Sequence, residues 1–243
     1  MSTNAYLGTS GWNYPHWKPR FYQDIPKASW LNYYASRFNT VEVNSTFYRL
    51  QSVNTFERWY QQTPDAFRFT IKGNRYLTHT KRLNNPQDSI RLEQQHAQHL
   101  REKLAVVLWQ LPGNFSFNLN RLSMFVDALT MWNSVRHTIE FRHSSWFDAE
   151  VADLLRDNNI AVCQSDAGNW PIWREVTADF VYLRLHGNPT TYVSNYSRAK
   201  LAKLAGEIQT WLKQELDVHV YFDNDANARA PLNAASLKNF LSG

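Results

Sequence analysis

The sequence predicts an α/β fold: a closed (β/α)8 barrel of the TIM type, with parallel strands and a sixth helix that is short or absent. Three observations carry this. Strand-like and helix-like segments alternate almost without exception, the pattern of parallel strands joined by crossover helices. Eight strand candidates fall within 243 residues, close to the ~250 typical of such barrels. The strands also carry one apolar and one polar parity, which suits a sheet whose outer face meets helices and whose inner face lines a lumen.

The elements follow in order. Tyr6–Ser10 is a short strand ended by Gly11 and Trp12, and Asn13–Lys27 is a loop holding three prolines. Ser29 stands as a helix N-cap before Leu31, Tyr34, Ala35 and Phe38 at helical spacing. Thr40–Asn44 is the second strand, and Val53, Phe56, Trp59 and Tyr60 mark the next helix. Arg68–Lys72 is a strand, Gly73–Pro86 a loop, and Asp88–Lys103 a helix. Leu104–Leu111 is almost wholly apolar, as a strand covered on both faces should be. Asn120 is placed to cap a helix carrying Leu122, Phe125, Val126 and Leu129. The stretch Arg136–Trp146 begins as a strand and ends in a polar turn. Asp148 then caps a helix with Val151, Leu154 and Leu155 inward. Ala161–Asp166 is the sixth strand, followed by Ala167–Asp179, which is too loop-like for a full helix. Phe180–His186 is the seventh strand, and Leu201, Leu204, Ala205, Ile208, Trp211 and Leu212 form an amphipathic helix. Val218–Asp225 is the eighth strand, and Pro231 fits the first turn of the last helix. An open doubly wound sheet is the runner-up, but no Gly-rich phosphate turn follows the first strand. With no repeat or linker, residues 1–243 read as a single barrel domain.

Composition narrows the class. A 43% hydrophobic fraction is globular, and 10 Trp is a large number for this length. The one cysteine, Cys163, excludes an intrachain disulfide and suits a reducing compartment. No secretory leader or bilayer-length apolar run is visible, so the expected setting is cytoplasmic, with no membrane partner. A net charge of +5 favours anionic partners.

The polar parity gathers Glu42, Asn44, Lys72, Gln110, Glu140, Arg142, Asp166, Arg184, His186, Tyr221, Asp223 and Asp225. Most lie where a strand gives way to the following helix, the end of a barrel where sites are built. Charges on a buried face are tolerated only when paired or used. Cys163 reads as a small hydrophobe on the helix-facing parity.

Several blocks resemble the DUF72 (YecE-like) family: Gly8–Trp12 with Tyr14 and Trp17, Thr40–Tyr48, Thr78-His79, Glu140–His143 with Ser145-Trp146, Leu183–Gly187, and Asn224-Asp225 followed by Asn233-Ala234. The resemblance runs from Tyr6 to about Leu241. It implies a TIM-type barrel with a loose likeness to sugar isomerases and no firmly assigned activity. Asp223 and Ala228 depart from it, since the resemblance implies Asn and Gly there.

Glu42 and Glu140 are the expected acid/base pair, because two carboxylates in one pocket drive their pKa values apart. His186 is expected to assist them. Lys72, Arg142 and Arg184 suit a phosphate or carboxylate. Asn44, His79, His143, Asp166, Asp223 and Asn224 are further binding candidates. Trp12, Tyr14, Trp17, Trp146, Trp170, Trp173 and Tyr192 follow strands and are placed to stack on a sugar or base. His186, Glu140, Asp166 and Asp223 form an oxygen-rich set with one imidazole, of the kind that holds a divalent metal. No organic-cofactor motif, nucleophile elbow or P-loop is present. Against catalysis stands the reading that these charges only neutralise one another. The expected function is acid/base chemistry on a small anionic or carbohydrate-like substrate, in the manner of a sugar isomerase or epimerase. The alternative is a nucleic-acid or nucleotide-fragment binding protein, or a phosphodiester hydrolase. Nothing in the pattern specifies an oligomeric state.

Overall fold

The computed structural model describes residues 4–242. At its centre stand eight parallel strands: β1 Ala5–Thr9, β2 Thr40–Val43, β3 Arg68–Lys72, β4 Leu104–Gln110, β5 Arg136–Glu140, β6 Ala161–Ala167, β7 Phe180–Gly187 and β8 Asp217–Phe222. They pair in the order β1-β8-β7-β6-β5-β4-β3-β2. Around them run α1 Trp30–Arg37, the short α2 Ser45–Tyr48, α3 Val53–Gln61, α4 Gln87–Ala97, α5 Leu119–Leu129, α6 Ala149–Asp157, α7 Arg198–Lys213 and α8 Arg229–Ser242. None of the described helices is long and apolar enough to cross a membrane.

The barrel closes at β1 and β2 by side chains as much as by backbone. Among the described residues a single parallel bridge, Ser10 to Glu42, joins the two edges, with Gly11 N donating to Glu42 O at 2.7 Å. Below it the Tyr34 hydroxyl is wedged into the seam. It accepts from Thr9 N at 2.8 Å and donates to Thr40 O at 3.1 Å, replacing a missing ladder bond. Asn39 repeats the device lower down, accepting from Leu7 N at 2.9 Å and donating to Ala5 O at 2.8 Å. Gly8 permits this approach, since a Cβ there would lie 2.2 Å from Thr40 O.

Local signals explain most element ends. Asp148 accepts from Glu150 N at 2.8 Å, as its capping chemistry predicts. Asn118, not Asn120, caps α5, accepting from Arg121 N at 3.0 Å. Ser29 occupies the N-cap position of α1 without making a side-chain cap, because a tight turn over Lys27–Ser29 leads directly into the helix. The helix expected over Asp88–Lys103 ends at Ala97. Tight turns then run to Lys103, broken where Arg101 takes φ 51°.

The sixth unit has no helix. Residues 168–179 run back along the outside of β6 and hold it by polar contacts, with Thr177 Oγ1 accepting from Val162 N at 3.0 Å and Gln164 Nε2 donating to Glu175 O at 3.2 Å. This reverses the parity expected of β6. Register pairs Cys163 with Tyr182 and Ser165 with Arg184, and laterally paired residues of a parallel sheet share a face. Cys163 therefore points into the lumen, among Val106, Leu108, Phe180, Tyr182 and Tyr221. Gln164 and Asp166 face outward. Where no helix covers a strand, polarity stops marking the inner face.

Candidate functional site

Above the apolar lumen floor lies a charged layer supplied by strand ends. Arg184 on β7 is its hub, buried at 1% exposure. Its Nη2 donates to Glu42 Oε1 at 2.7 Å, and its Nε lies 3.0 Å from Glu42 Oε2. Its Nη1 donates to Glu140 Oε2 at 2.9 Å, and Nη2 also reaches Asp223 Oδ2 at 3.1 Å. Glu42 takes further bonds from Ser10 Oγ at 2.8 Å and Tyr182 OH at 2.6 Å. Glu140 takes them from Ser165 Oγ at 2.9 Å and Arg142 Nε at 3.1 Å. Each oxygen of the two buried carboxylates thus meets at least one donor, which offsets the cost of burying them. Burial alone would push the Glu140 carboxyl up, but the Arg142 and Arg184 guanidiniums overcome it and hold it well below the usual range. Arg184 also lies 3.2 Å from His186 Nε2. A guanidinium only donates, so Nε2 accepts and the imidazole proton belongs on Nδ1. That nitrogen is 2.9 Å from Asp223 Oδ2, a short contact without hydrogen-bond alignment.

Over this layer opens a cavity of about 510 Å³, lined mainly by residues that follow or end strands, among them Tyr14, Asn44, Lys72, His79, Gln110, Arg142, Tyr192 and Asp223. The volume lies in the range of small-molecule sites, ~300–1,000 Å³. The cationic groups come from the β3 to β5 side. The acceptors come from the β8, β1 and β2 side, where Asp223 and Asp225 join Asn44, whose Oδ1 is buried without a hydrogen-bond partner.

Lys72 is the unusual member. It is 7% exposed, and among the described residues no carboxylate pairs with its amine. Nζ sits instead over the Phe47 ring, 4.2 Å from its centroid. Burial, then Arg184, brings the amine down to about 8. His79 stands in the same cavity, edge-on to Phe47 at 5.0 Å, with Nδ1 2.9 Å from Thr78 Oγ1. Burial and Lys72 bring this imidazole down to about 4, so it is neutral. Arg142 stacks on Trp170, 3.9 Å from the ring centroid. It spends Nε on Glu140, and its two terminal nitrogens bond nothing else among the described residues.

The structure separates the other expected residues. Glu42, Glu140 and His186 meet, but in the layer beneath the cavity rather than on its wall. Asp166 points to the outer face, where its Oδ1 accepts from Asn188 Nδ2 at 2.8 Å. The metal set that included it therefore does not form, and Arg184 occupies the middle of the remaining His186, Glu140 and Asp223. Among the described residues no group of three or more His, Cys, Asp or Glu has metal-holding geometry. Trp146 is fully buried, its Nε1 donating to Phe115 O at 2.6 Å. His143 caps its own turn, Nδ1 accepting from Ser145 N at 3.2 Å. Asn224 clamps a loop, donating to Ser194 O and Asn233 Oδ1, both at 2.9 Å. Trp12 packs edge-on against Trp59 at 5.4 Å, Trp17 is buried, and Trp173 stacks on Phe147. Of the expected aromatic ring, Tyr14, Trp170 and Tyr192 lie at the mouth.

Sequence reasoning did not single out Ser10, Ser165, Tyr182 or Phe47. Tyr182 shares the parity of Arg184 and was legible as inward-facing. Ser10 and Ser165 carry no signal until the register places them beside Glu42 and Glu140.

Comparison with known proteins agrees with the architecture. The profile of the family described as "Protein of unknown function DUF72" matches residues 6–243. The UPF0759 protein YunF of Bacillus subtilis is 24% identical over 97% of this chain and 94% of its own length. The UPF0759 protein YecE of Escherichia coli K12 is 29% identical, over 58% of this chain and 50% of its own. A DUF72 family protein from Thermotoga maritima superposes with a TM-score of 0.87 at 27% identity, covering 99% of this chain and 100% of that one. A glycoside hydrolase family 5 enzyme from Prevotella bryantii shares the barrel, with a TM-score of 0.50 at 13% identity, over 97% of this chain and 95% of that one.

Proposed function

This chain belongs to the DUF72 family, and from its own side chains we propose that it is an enzyme whose barrel mouth binds a small anionic, carbohydrate-like molecule and exchanges protons with it through Lys72. One observation carries the reading: a buried lysine without a carboxylate partner faces a cavity that also holds the open fork of Arg142. A fork of that kind suits a carboxylate or phosphate. Asn44, Asp223 and Asp225 supply acceptors for hydroxyl groups, and the Tyr14, Phe47 and Tyr192 rings suit the apolar face of a sugar. An amine that titrates near neutrality is matched to proton transfer. Glu140, held far below neutrality, is a poor acid or base there. In this reading Glu42, Glu140 and His186 position Arg184. An isomerisation or epimerisation is the class that such proton exchange serves. The lone buried cysteine accords with a cytoplasmic setting.

The test is ligand-induced stabilisation. Phosphorylated sugars and sugar acids should raise the melting temperature of the wild-type protein, since a ligand held only by the folded state stabilises it. Lys72→Met and Arg142→Met should each blunt the shift. Oligonucleotides form the opposing arm: binding that weakens steeply with salt, with no response to sugar anions, would favour a nucleic-acid partner instead.

A further inference from the structure

Resting on that reading of the mouth, we infer that Lys72 acts as a covalent nucleophile, forming an imine with the carbonyl carbon of an open-chain aldehyde or ketone substrate.

The argument is geometric first. Lys72 ends β3, so its backbone is fixed by the barrel, and Thr46 Oγ1 donates to its carbonyl oxygen at 2.7 Å. Its amine projects over an aromatic face toward the cavity rather than into an ion pair. Arg142 and Arg184 are the nearby cations, and both disfavour a third charge. Desolvation plus a neighbouring cation is the usual means by which a lysine is activated as a nucleophile. The lysines outside the site differ. Lys103 is also buried, but its ammonium donates to Tyr60 O at 2.8 Å, Thr63 O at 2.7 Å and, at 3.4 Å, Thr63 Oγ1, so its three protons each have an acceptor. Lys203 is solvent-exposed beside Glu207.

The step balances without a redox partner. The Nζ lone pair forms a C–N bond while the carbonyl π pair moves to oxygen, which takes a proton as the nitrogen gives one up. That oxygen takes a second proton, drawn from solvent water, and leaves as water while the nitrogen lone pair forms C=N, so that the product is the protonated imine. The neutral His79 imidazole lines the same cavity and is available to carry the proton. A protonated imine at this position would acidify the neighbouring C–H, which is the bond an isomerase or epimerase must open.

Reductive trapping tests this. The full-length protein is incubated with glyceraldehyde 3-phosphate or dihydroxyacetone phosphate, reduced with sodium borohydride, and mapped by peptide mass spectrometry. The expected result is one stoichiometric adduct on Lys72, far above the labelling of exposed Lys200 and Lys203. It should vanish in Lys72→Arg, which keeps the cation but cannot form the imine, and in Lys72→Met. Inorganic phosphate should still raise the melting temperature of Lys72→Arg, showing that the variant folds and retains its anion seat. Labelling spread evenly over the lysines overturns the inference. So does a probe that stabilises the wild-type protein yet leaves no adduct on Lys72, although the ligand reading of the mouth then stands. If no probe either stabilises the protein or labels it, both readings fall together.

Discussion

Arg184 Nη1 and Glu140 Oε2 meet at 2.9 Å although they are 44 residues apart and β6 stands between their strands. The arginine spans the lumen, and its other edge holds Glu42 on β2. One guanidinium thus neutralises carboxylates from opposite regions of the barrel wall and fixes the depth of the floor under the cavity.

Breaking that contact should read as stability. Glu140→Gln leaves Arg142 without its carboxylate and Arg184 with only Glu42 and Asp223. Removing one partner of a buried pair costs ~3–5 kcal/mol, and the remaining carboxylates hold this case to the lower end. The melting temperature should fall by several degrees, while sugar anions still produce a thermal shift. The wild-type contribution of Glu140 has its own pH signature. With the folded carboxyl well below the ordinary value of 4.5, it stabilises fully above that value and is lost as pH falls through the folded value. Acid denaturation curves of the two proteins should therefore converge at low pH.

Lys72 gives the opposite limb. Its amine titrates at about 8 when folded, against 10.5 when unconstrained. Below pH 8 both states carry the proton and the folded state bears the whole cost of the buried charge. Between these values the unfolded chain holds the proton and the folded one has shed it, so stability rises with pH. Urea midpoints from pH 7.5 to 10.5 should climb in wild type relative to Lys72→Met, and equal slopes would contradict the burial of an unpaired amine.

Glu93 on α4 is buried with its Oε1 accepting from Asn74 N at 2.8 Å, and burial raises its carboxyl to about 8. Here the folded state holds a proton that the unfolded chain releases near 4.5. Stability is fully present below 4.5 and declines as pH rises toward 8. Glu93→Gln keeps the acceptor and removes the titration, so it should melt higher than wild type at pH 8 and match it near pH 4.5.

Tyr34→Phe tests the seam. The change removes the hydroxyl that joins Thr9 N to Thr40 O and leaves both backbone groups buried and unpaired. A loss of ~1–3 kcal/mol per orphaned group is expected, read from urea denaturation. Hydrogen exchange at the Thr9 amide should accelerate relative to the β3–β4 core.

Ala228 sits at φ 58°, in the left-handed region, and is fully buried. The family resemblance implies glycine at this position, and the backbone supplies the reason. Left-handed geometry costs an L-residue roughly 1–2 kcal/mol, and a glycine returns part of that through its freer unfolded chain. Ala228→Gly should stabilise the protein by up to about 1 kcal/mol, measured as a rise in melting temperature.

The sequence by itself determined the architecture. The 3.6-residue stripe of α7, the apolar run of β4 and the alternation in β2, β5, β7 and β8 are local patterns, and each is set by the face a segment must bury. They also foretold the missing helix after β6, because residues 168–179 lack any apolar periodicity. What stayed hidden depends on register and on neighbours. Cys163 and Ser165 face inward only because β6 pairs with Tyr182 and Arg184, and the polar Asp166 misled because no helix covers that strand. Trp146, His143 and Asn224 have the chemistry of a site but are drawn off by partners in adjacent turns. The tertiary structure alone decided which charges cancel. Glu42 and Arg184 lie 142 residues apart, and their pairing turns the expected acid/base couple into a floor. It leaves Lys72 without a carboxylate partner, since a shared guanidinium satisfies both carboxylates before the lysine can reach either.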